Sequence, residues 1–247
     1  MNAIILAAGL GTRLKPLTDN KPKALIEING QTLLELAIKK LQRHGFNNII
    51  VNVHHFPDMI VHYLNSHNNF GSEIFISDER KLLLDTGGAI KEIEKHIDFN
   101  FPILVYNVDV ITNLDLQTLY DYHSLSDNLA TLAVRNRETT RYLLLDRDNV
   151  FCGWKNKIRN EERIVRDYLG KLNEFAFSGI HVVNPAIFSL MPVEKKFSII
   201  DLYLKLAPNF LIKGFDHSDT EWIDVGKLHN LEAAEGLVTL LKNTDQA

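Results

Sequence analysis

The segment AIILAAGLGTRLKPLTDNKPKAL, Ala3 to Leu25, limits what this chain can be more than any other stretch. It opens with a short apolar run, 3–7, bounded by glycine, which is the pattern of a buried strand. Gly9 and Gly11 follow, then Arg13, Lys15, Lys21 and Lys23, with Asp19 the one acid among them. Glycine lets a backbone turn sharply and bring its N–H groups close to a ligand. Arginine and lysine immediately afterwards suit a polyphosphate, which takes several donors and positive charge at once. Strand, glycine turn and basic loop together read as a phosphate cradle. It is not a Walker loop, and the dinucleotide pattern G-x-G-x-x-G fails at Leu14.

Composition confines the cradle to a small ligand. The 247 residues carry 27 Lys and Arg against 31 Asp and Glu, a net charge of −4, which argues against a nucleic-acid surface. The N-terminal cations are therefore local and aimed at a small anion. Cys152 is the single cysteine, so no intramolecular disulfide supports the fold. No basic leader precedes the first apolar run, and no apolar run reaches the ~18 residues of a membrane span. The expectation is a soluble, cytoplasmic protein with no membrane partner.

Along the chain, strand and helix patterns alternate at first. Thr32 and Glu35 stand as a capping box before Leu34, Ala37, Ile38 and Leu41, and Gly45 closes that helix. Strands are predicted at 49–53, 73–77 and 101–108, with a helix from Pro57 and another after Gly87-Gly88 carrying Ile90, Ile93 and Ile97. This alternation predicts an α/β fold with a mostly parallel central sheet covered on both faces. Ligands of such sheets sit at the carboxyl ends of the strands, where Gly9, Gly87 and Asp109 emerge. The second half predicts a mixed-strand addition. It holds strands at 130–134 and 175–183, a hairpin about 146–149, strands at 210–215 and 221–225, and a final helix over 227–242. No linker or repeat divides the halves, so one domain spans 1–247: a nucleotide-binding half over 1–113, a second half over 114–226, and the C-terminal helix over 227–247.

Two aspartates end strands, Asp109 after PILVYNV and Asp224 after EWI. Alone, each reads equally well as a helix cap or turn former. The segments around them settle the choice by likeness. LAAGLGTRLKPLT with KPKALI, YNVDV, LLLDTGGAI and WIDVG together resemble the signatures of sugar-1-phosphate nucleotidyltransferases. That resemblance implies a Rossmann-like three-layer α/β/α nucleotidyltransferase fold with a smaller mixed-strand sugar-binding lobe. It implies an enzyme joining a nucleoside triphosphate to a sugar 1-phosphate with release of pyrophosphate. Carried over residue by residue, Asp109 and Asp224 would hold Mg²⁺, the cofactor. Arg13 would grip the leaving phosphates and Lys23 the reacting ones. Leu6, Ala7, Ala8, Gly9, Gly11, Thr12, Thr86 and Asn107 would bind nucleotide, with Gly87 and Gly88 passing the base edge. Glu174, Ser178 and Gly179 would lie at the sugar.

Within the family, DTGGAI, FAFSGIHVVNP and FSIIDLYLKLA look most like the N-acetylmuramate-1-phosphate uridylyltransferases of bacterial cell-wall recycling. Guanylyl transfer to mannose 1-phosphate, thymidylyl or uridylyl transfer to glucose 1-phosphate, and cytidylyl transfer to phosphocholine stand as alternatives. Some relatives with this fold are non-catalytic regulatory subunits that lose the loop arginine or a metal aspartate. Here Arg13, Lys23, Asp109 and Asp224 are all present. His54-His55, beside a buried strand, reads as structural, and no H-E-x-x-H or G-x-S-x-G occurs.

Overall fold

The computed structural model describes residues 1–244. β1 (Asn2–Leu6) runs into the glycine loop, whose ends are 3₁₀ turns at Thr12–Leu14 and Lys23–Leu25. The tiny β2 (Glu27–Ile28) and β3 (Gln31–Thr32), α1 (Leu33–Arg43), β4 (Asn48–Val53), α2 (Pro57–Ser66) and β5 (Glu73–Asp78) follow. The first half closes with α3 (Asp85–Glu92), β6 (Ile103–Asn107), β7 (Val110–Thr112) and α4 (Leu116–Ser124). The second half is β8 (Ala130–Arg135), β9 (Arg141–Leu145), β10 (Phe151–Asn156), β11 (Glu161–Ile164) and β12 (Asn173–Val183). It ends with α5 (Ile199–Leu206), β13 (Ile212–Asp216), β14 (Trp222–Asp224) and α6 (Leu231–Thr244).

A ten-stranded sheet, ordered β11-β10-β9-β12-β6-β1-β4-β5 with β8 and β13 branching from β12, forms the middle layer. β6, β1, β4 and β5 are mutually parallel. β12 is eleven residues long and joins the halves: its first residues pair with β9 and its last with β6 and β8. Because β12 is antiparallel to both β6 and β8, those two strands end at the same edge of the sheet. Strand alternation sorts the core into two faces. Ala3 and Ile5 pack with α1, α2, α4 and α6, whereas Ile4 packs with α3 and α5. This is the three-layer α/β/α arrangement expected.

Local signals explain the helices. Thr32 Oγ1 accepts from Glu35 N at 3.1 Å and starts α1, but the Glu35 carboxylate turns to Gln31, Lys39 and Tyr63 instead of completing the box. α4, which the sequence reading omits, is capped by Asp115, whose Oδ1 accepts from Gln117 N and Thr118 N. The third helix differs from expectation. Gly87 and Gly88 lie inside α3, not before it, and Ile97 falls beyond the helix and the 3₁₀ turn at Glu94–His96. β11 and β7 were also not anticipated. The final helix starts at Leu231 after a 3₁₀ turn at Leu228–Asn230, and positions 245–247 of the expected segment lie outside the described residues.

Three histidines are buried in this framework. Burial pushes His123 and His217 down to about 4 and His181 to about 3. Each binds a proton more readily when unfolded, so each favours the folded state above the ordinary histidine range and loses that contribution as pH falls. Thermal stability should hold steady above about pH 7, then fall as pH drops from about 6.5 towards 4. A melting temperature unchanged between pH 7 and pH 5 would contradict neutral burial of these rings.

Candidate active site

The carboxyl ends of β1, β4 and β6 open into a cleft of about 450 Å³. β1 lies between β4 and β6, so the crevice falls where successive connections depart in opposite directions, as ligand sites of open α/β sheets do. Leu6, Ala7, Ala8 and Gly9 form one wall, and Asn107, Val108 and Asp109 form another. Gly11 sits further back in a left-handed conformation (φ 64°), held by Leu14 N and Thr18 Oγ1, both of which donate to its carbonyl. A Cβ there would lie 2.7 Å from Thr18 Cγ2, so the loop is closed only by glycine.

Lys23 is buried, and its ammonium donates to the Asp109 carboxylate. β14 pairs antiparallel with β7, placing Asp224 opposite Val110, and Val225 N donates to Asp109 O at 2.8 Å. The ladder thus brings the backbones of the two aspartates to neighbouring positions. Asp224 Oδ1 accepts from Gly226 N at 3.1 Å. A Cβ on Gly226 would stand 2.8 Å from that oxygen and 3.2 Å from Arg13 Nη2. Asp224 Oδ1 and Arg13 Nη2 therefore both stand against the bare face of Gly226. Of the four residues singled out in the sequence, Lys23 and Asp109 pair in the cleft, whereas Arg13 and Asp224 stand against Gly226 and do not line it.

Two residues the sequence reading missed tie the cradle to its far wall. Asn52 Oδ1 accepts from Ala7 N at 2.6 Å, and Asn52 Nδ2 donates to Glu79 Oε1 at 2.9 Å. Glu79 Oε2 then accepts from Leu84 N at 3.0 Å. Burial pushes the Glu79 carboxyl up, against the lowering pull of Asn52 and Leu84. A polar residue amid the apolar run of β4 was the signal: a buried asparagine must spend its hydrogen bonds on something.

Other expected contacts lie elsewhere. Gly87 N and Gly88 N both donate to Phe197 O, at 2.9 and 3.2 Å. A Cβ on Gly88 would meet Lys195 O at 2.1 Å, and one on Gly87 the Phe197 ring at 2.3 Å. These glycines serve close packing of α3 on the 195–197 segment, and Leu83, Asp85, Thr86 and Ala89 face the cleft in their place. Thr86 Oγ1 also accepts from Ile199 N. Thr12 is exposed at the start of its 3₁₀ turn and does not line the cleft. Gly179 (φ 77°) lets Asn107 approach: a Cβ would lie 2.7 Å from Asn107 Nδ2. Ser178 is fully buried, with Oγ 2.6 Å from His217 Nε2, so its hydroxyl faces the interior. Glu174 lies within β12, not before it, and its carboxylate pairs with Lys155 at 2.9 Å and Lys157 at 2.8 Å.

Asp109 and Asp224 suit a hard divalent cation such as Mg²⁺, which takes one or two carboxylates and fills its remaining positions with phosphate and water oxygens. Among the described residues no cluster of three or more His, Cys, Asp or Glu is placed for a metal. The donor set fits a metal that arrives with a nucleotide. Fold and cleft together define an α/β protein whose glycine loop faces the end of β6, with its Asp109, across one crevice.

Comparison with known proteins agrees. Residues 2–239 match the nucleotidyl transferase family model, and the chain belongs to that enzyme family. It is 30% identical to the N-acetylmuramate alpha-1-phosphate uridylyltransferase of Caulobacter vibrioides, over 94% of this chain and 95% of that one. It is 28% identical to the UTP–glucose-1-phosphate uridylyltransferase of Synechocystis, covering 92% of this chain but only 61% of the relative. Among solved structures, HddC from Yersinia pseudotuberculosis, complexed with GMP-PN, superposes with a TM-score of 0.75 at 25% identity, covering 95% and 98% of the two chains. A putative glucose-1-phosphate thymidylyltransferase from Bacillus anthracis shares the fold, with a TM-score of 0.79 at 21% identity over 96% and 94%. No helix among the described residues is long and apolar enough to cross a membrane.

Glu79→Gln should show what the Asn52–Glu79 link does. Glutamine offers one acceptor where two N–H donors converge, so one hydrogen bond is lost, about 1 kcal/mol. The KM for nucleotide should rise roughly fivefold to tenfold; an unchanged KM would show that the link does not set the cradle.

Proposed function

We propose that this protein catalyses Mg²⁺-dependent transfer of a uridylyl group from UTP to N-acetylmuramate 1-phosphate, giving UDP-N-acetylmuramate and pyrophosphate. The pairing of Lys23 with Asp109 in a cleft walled by the glycine loop carries the reaction class, with Arg13 and Asp224 meeting at Gly226 nearby. Likeness to the Caulobacter uridylyltransferase over nearly the whole of both chains supports the substrate pair. Such an activity belongs to cytoplasmic nucleotide-sugar synthesis in cell-wall recycling.

An oxygen of the sugar phosphate attacks the α-phosphorus of UTP in line. The new P–O bond forms as the bond to the β-phosphate bridging oxygen breaks, and pyrophosphate departs with that electron pair. Chemistry of this kind needs alignment and charge neutralisation more than covalent help, so no enzyme nucleophile is required. The Ala7–Gly9 backbone holds the triphosphate, Arg13 draws on the leaving phosphates, and Lys23 leaves Asp109 for the reacting ones. Bound between Asp109 and Asp224, Mg²⁺ would supply further charge neutralisation at the phosphate oxygens.

Crossing UTP, GTP, dTTP and CTP against N-acetylmuramate, mannose and glucose 1-phosphates and phosphocholine, with pyrophosphate as readout, tests the reading. The expected pair is UTP with N-acetylmuramate 1-phosphate. Another productive pair would correct the substrate, and silence from folded, nucleotide-binding protein would favour a regulatory subunit. Asp109→Ala should keep the fold and lower kcat by at least about 100-fold, the scale of lost metal support; unchanged turnover would reject the assignment.

A further inference from the structure

Two arginines outside the catalytic set occupy the same edge of the sheet. β8 ends at Arg135, and since β8 runs parallel to β6, Arg135 and the following Arg137 emerge on the side where β6 delivers Asn107 to Asp109. Both guanidiniums lie over Trp222, Arg137 at 4.5 Å and Arg135 at 5.7 Å from the ring centre. Trp222 begins the strand that carries Asp224. Its ring is pinned by Nε1 donating to Ser178 O at 3.0 Å, and Ser178 is pinned in turn by His217. Ser178, expected at the sugar, thus supports the platform from behind.

The two cations are short of partners. Arg135 Nη1 and Arg137 Nε are buried without a hydrogen bond, and neither guanidinium pairs with a carboxylate among the described residues. What Arg137 does hold is two long bonds, to the carbonyls of Glu138 and Phe177, both at 3.3 Å. Burial pushes its guanidinium down, Asp224 draws it up, and Arg135 opposes it as a like charge. Stacking two desolvated cations on one ring costs free energy unless an anion joins them. A planar guanidinium fork matches a carboxylate, and a stacked tryptophan leaves the fork's edge free to do so. The phosphates of the reaction already have Arg13 and Lys23.

We propose that Arg135 and Arg137 on Trp222 form an anion subsite for a carboxylate on the acceptor, so that this protein selects acidic sugar 1-phosphates over neutral ones. This rests on the acceptor being a sugar 1-phosphate, and N-acetylmuramate, with its lactyl carboxylate, is of the required class. The subsite lies in the second half of the chain, at the end of β8, where a sugar held for in-line attack extends away from the nucleotide.

N-acetylmuramate 1-phosphate and N-acetylglucosamine 1-phosphate differ only in the lactyl ether, which makes them the discriminating pair. Wild-type protein should prefer the acidic acceptor by at least about tenfold in kcat/KM, the scale of one charge-assisted hydrogen bond. Arg137→Ala and Arg135→Ala should each cut that preference about tenfold or more while turnover of the neutral acceptor stays within about threefold. A ratio within one protein sample does not depend on how much of a variant folds. Equal loss for both acceptors would assign the arginines to the shared phosphate and overturn the inference, as would a wild-type ratio near one. Binding of both acceptors is measured alongside turnover by calorimetry. An arginine-dependent preference in binding without transfer would reject the proposed reaction and keep the subsite; equal binding would reject the subsite.

Discussion

The ion pair between Lys23 and Asp109 is the contact on which the site depends. It joins groups 86 residues apart, one from the glycine loop and one from the end of β6, and it stands in the cleft both would serve. A buried lysine and a nearby carboxylate each cost free energy to desolvate, and their pairing offsets that cost only while geometry holds. The parallel β1–β6 ladder supplies that geometry, with Leu6 opposite Asn107. Each partner serves as the other's counter-ion, and in the proposed reaction phosphate and metal would take their places. The same contact thus fastens the glycine loop to the end of β6.

Around this pair the architecture distributes tasks by strand end. β1 supplies backbone donors, β6 an aspartate, and β14 a second aspartate through its pairing with β7. Asn52 and Glu79 connect the ends of β4 and β5 to the glycine loop at Ala7 and, through Leu84, to the start of α3. The 195–197 segment, packed on the glycines of α3, sets where that helix stands. The ends of β8 and β14 carry the arginines and tryptophan that face an acceptor. In the proposed reaction nucleotide and acceptor are read from different strand ends, the acceptor side lying partly on the separate two-stranded ladder of β7 and β14.

Much of this was legible in the chain because local chemistry dictated it. The glycine loop, the capped α1 and the apolar strands of the first half each follow from a few neighbouring residues. Arg13, Lys23, Asp109 and Asp224 stood out through motif likeness; Lys23 and Asp109 pair in the cleft, and the ladder between β7 and β14 sets Asp224 opposite Val110. What stayed hidden depends on partners remote in sequence. Gly87 and Gly88 look like a turn before a helix, yet Phe197 and Lys195, more than a hundred residues on, make them interior helix glycines. Ser178 gives no sign of its burial until His217 is placed against it. Asn52 and Glu79 announce only that a polar group is buried, not that Ala7 is its partner.

The proposed reaction requires Lys23 and Asp109, paired across the cleft, to part when substrate arrives. Calorimetric binding of UTP in the presence of a chelator, compared between wild type and Asp109→Asn, addresses it most directly. Removing the carboxylate frees Lys23 and removes a negative charge facing the triphosphate. The variant should therefore bind metal-free UTP more tightly than wild type, by roughly tenfold (~1.4 kcal/mol), while losing turnover. Weaker or equal binding of metal-free UTP in the variant would contradict the claim.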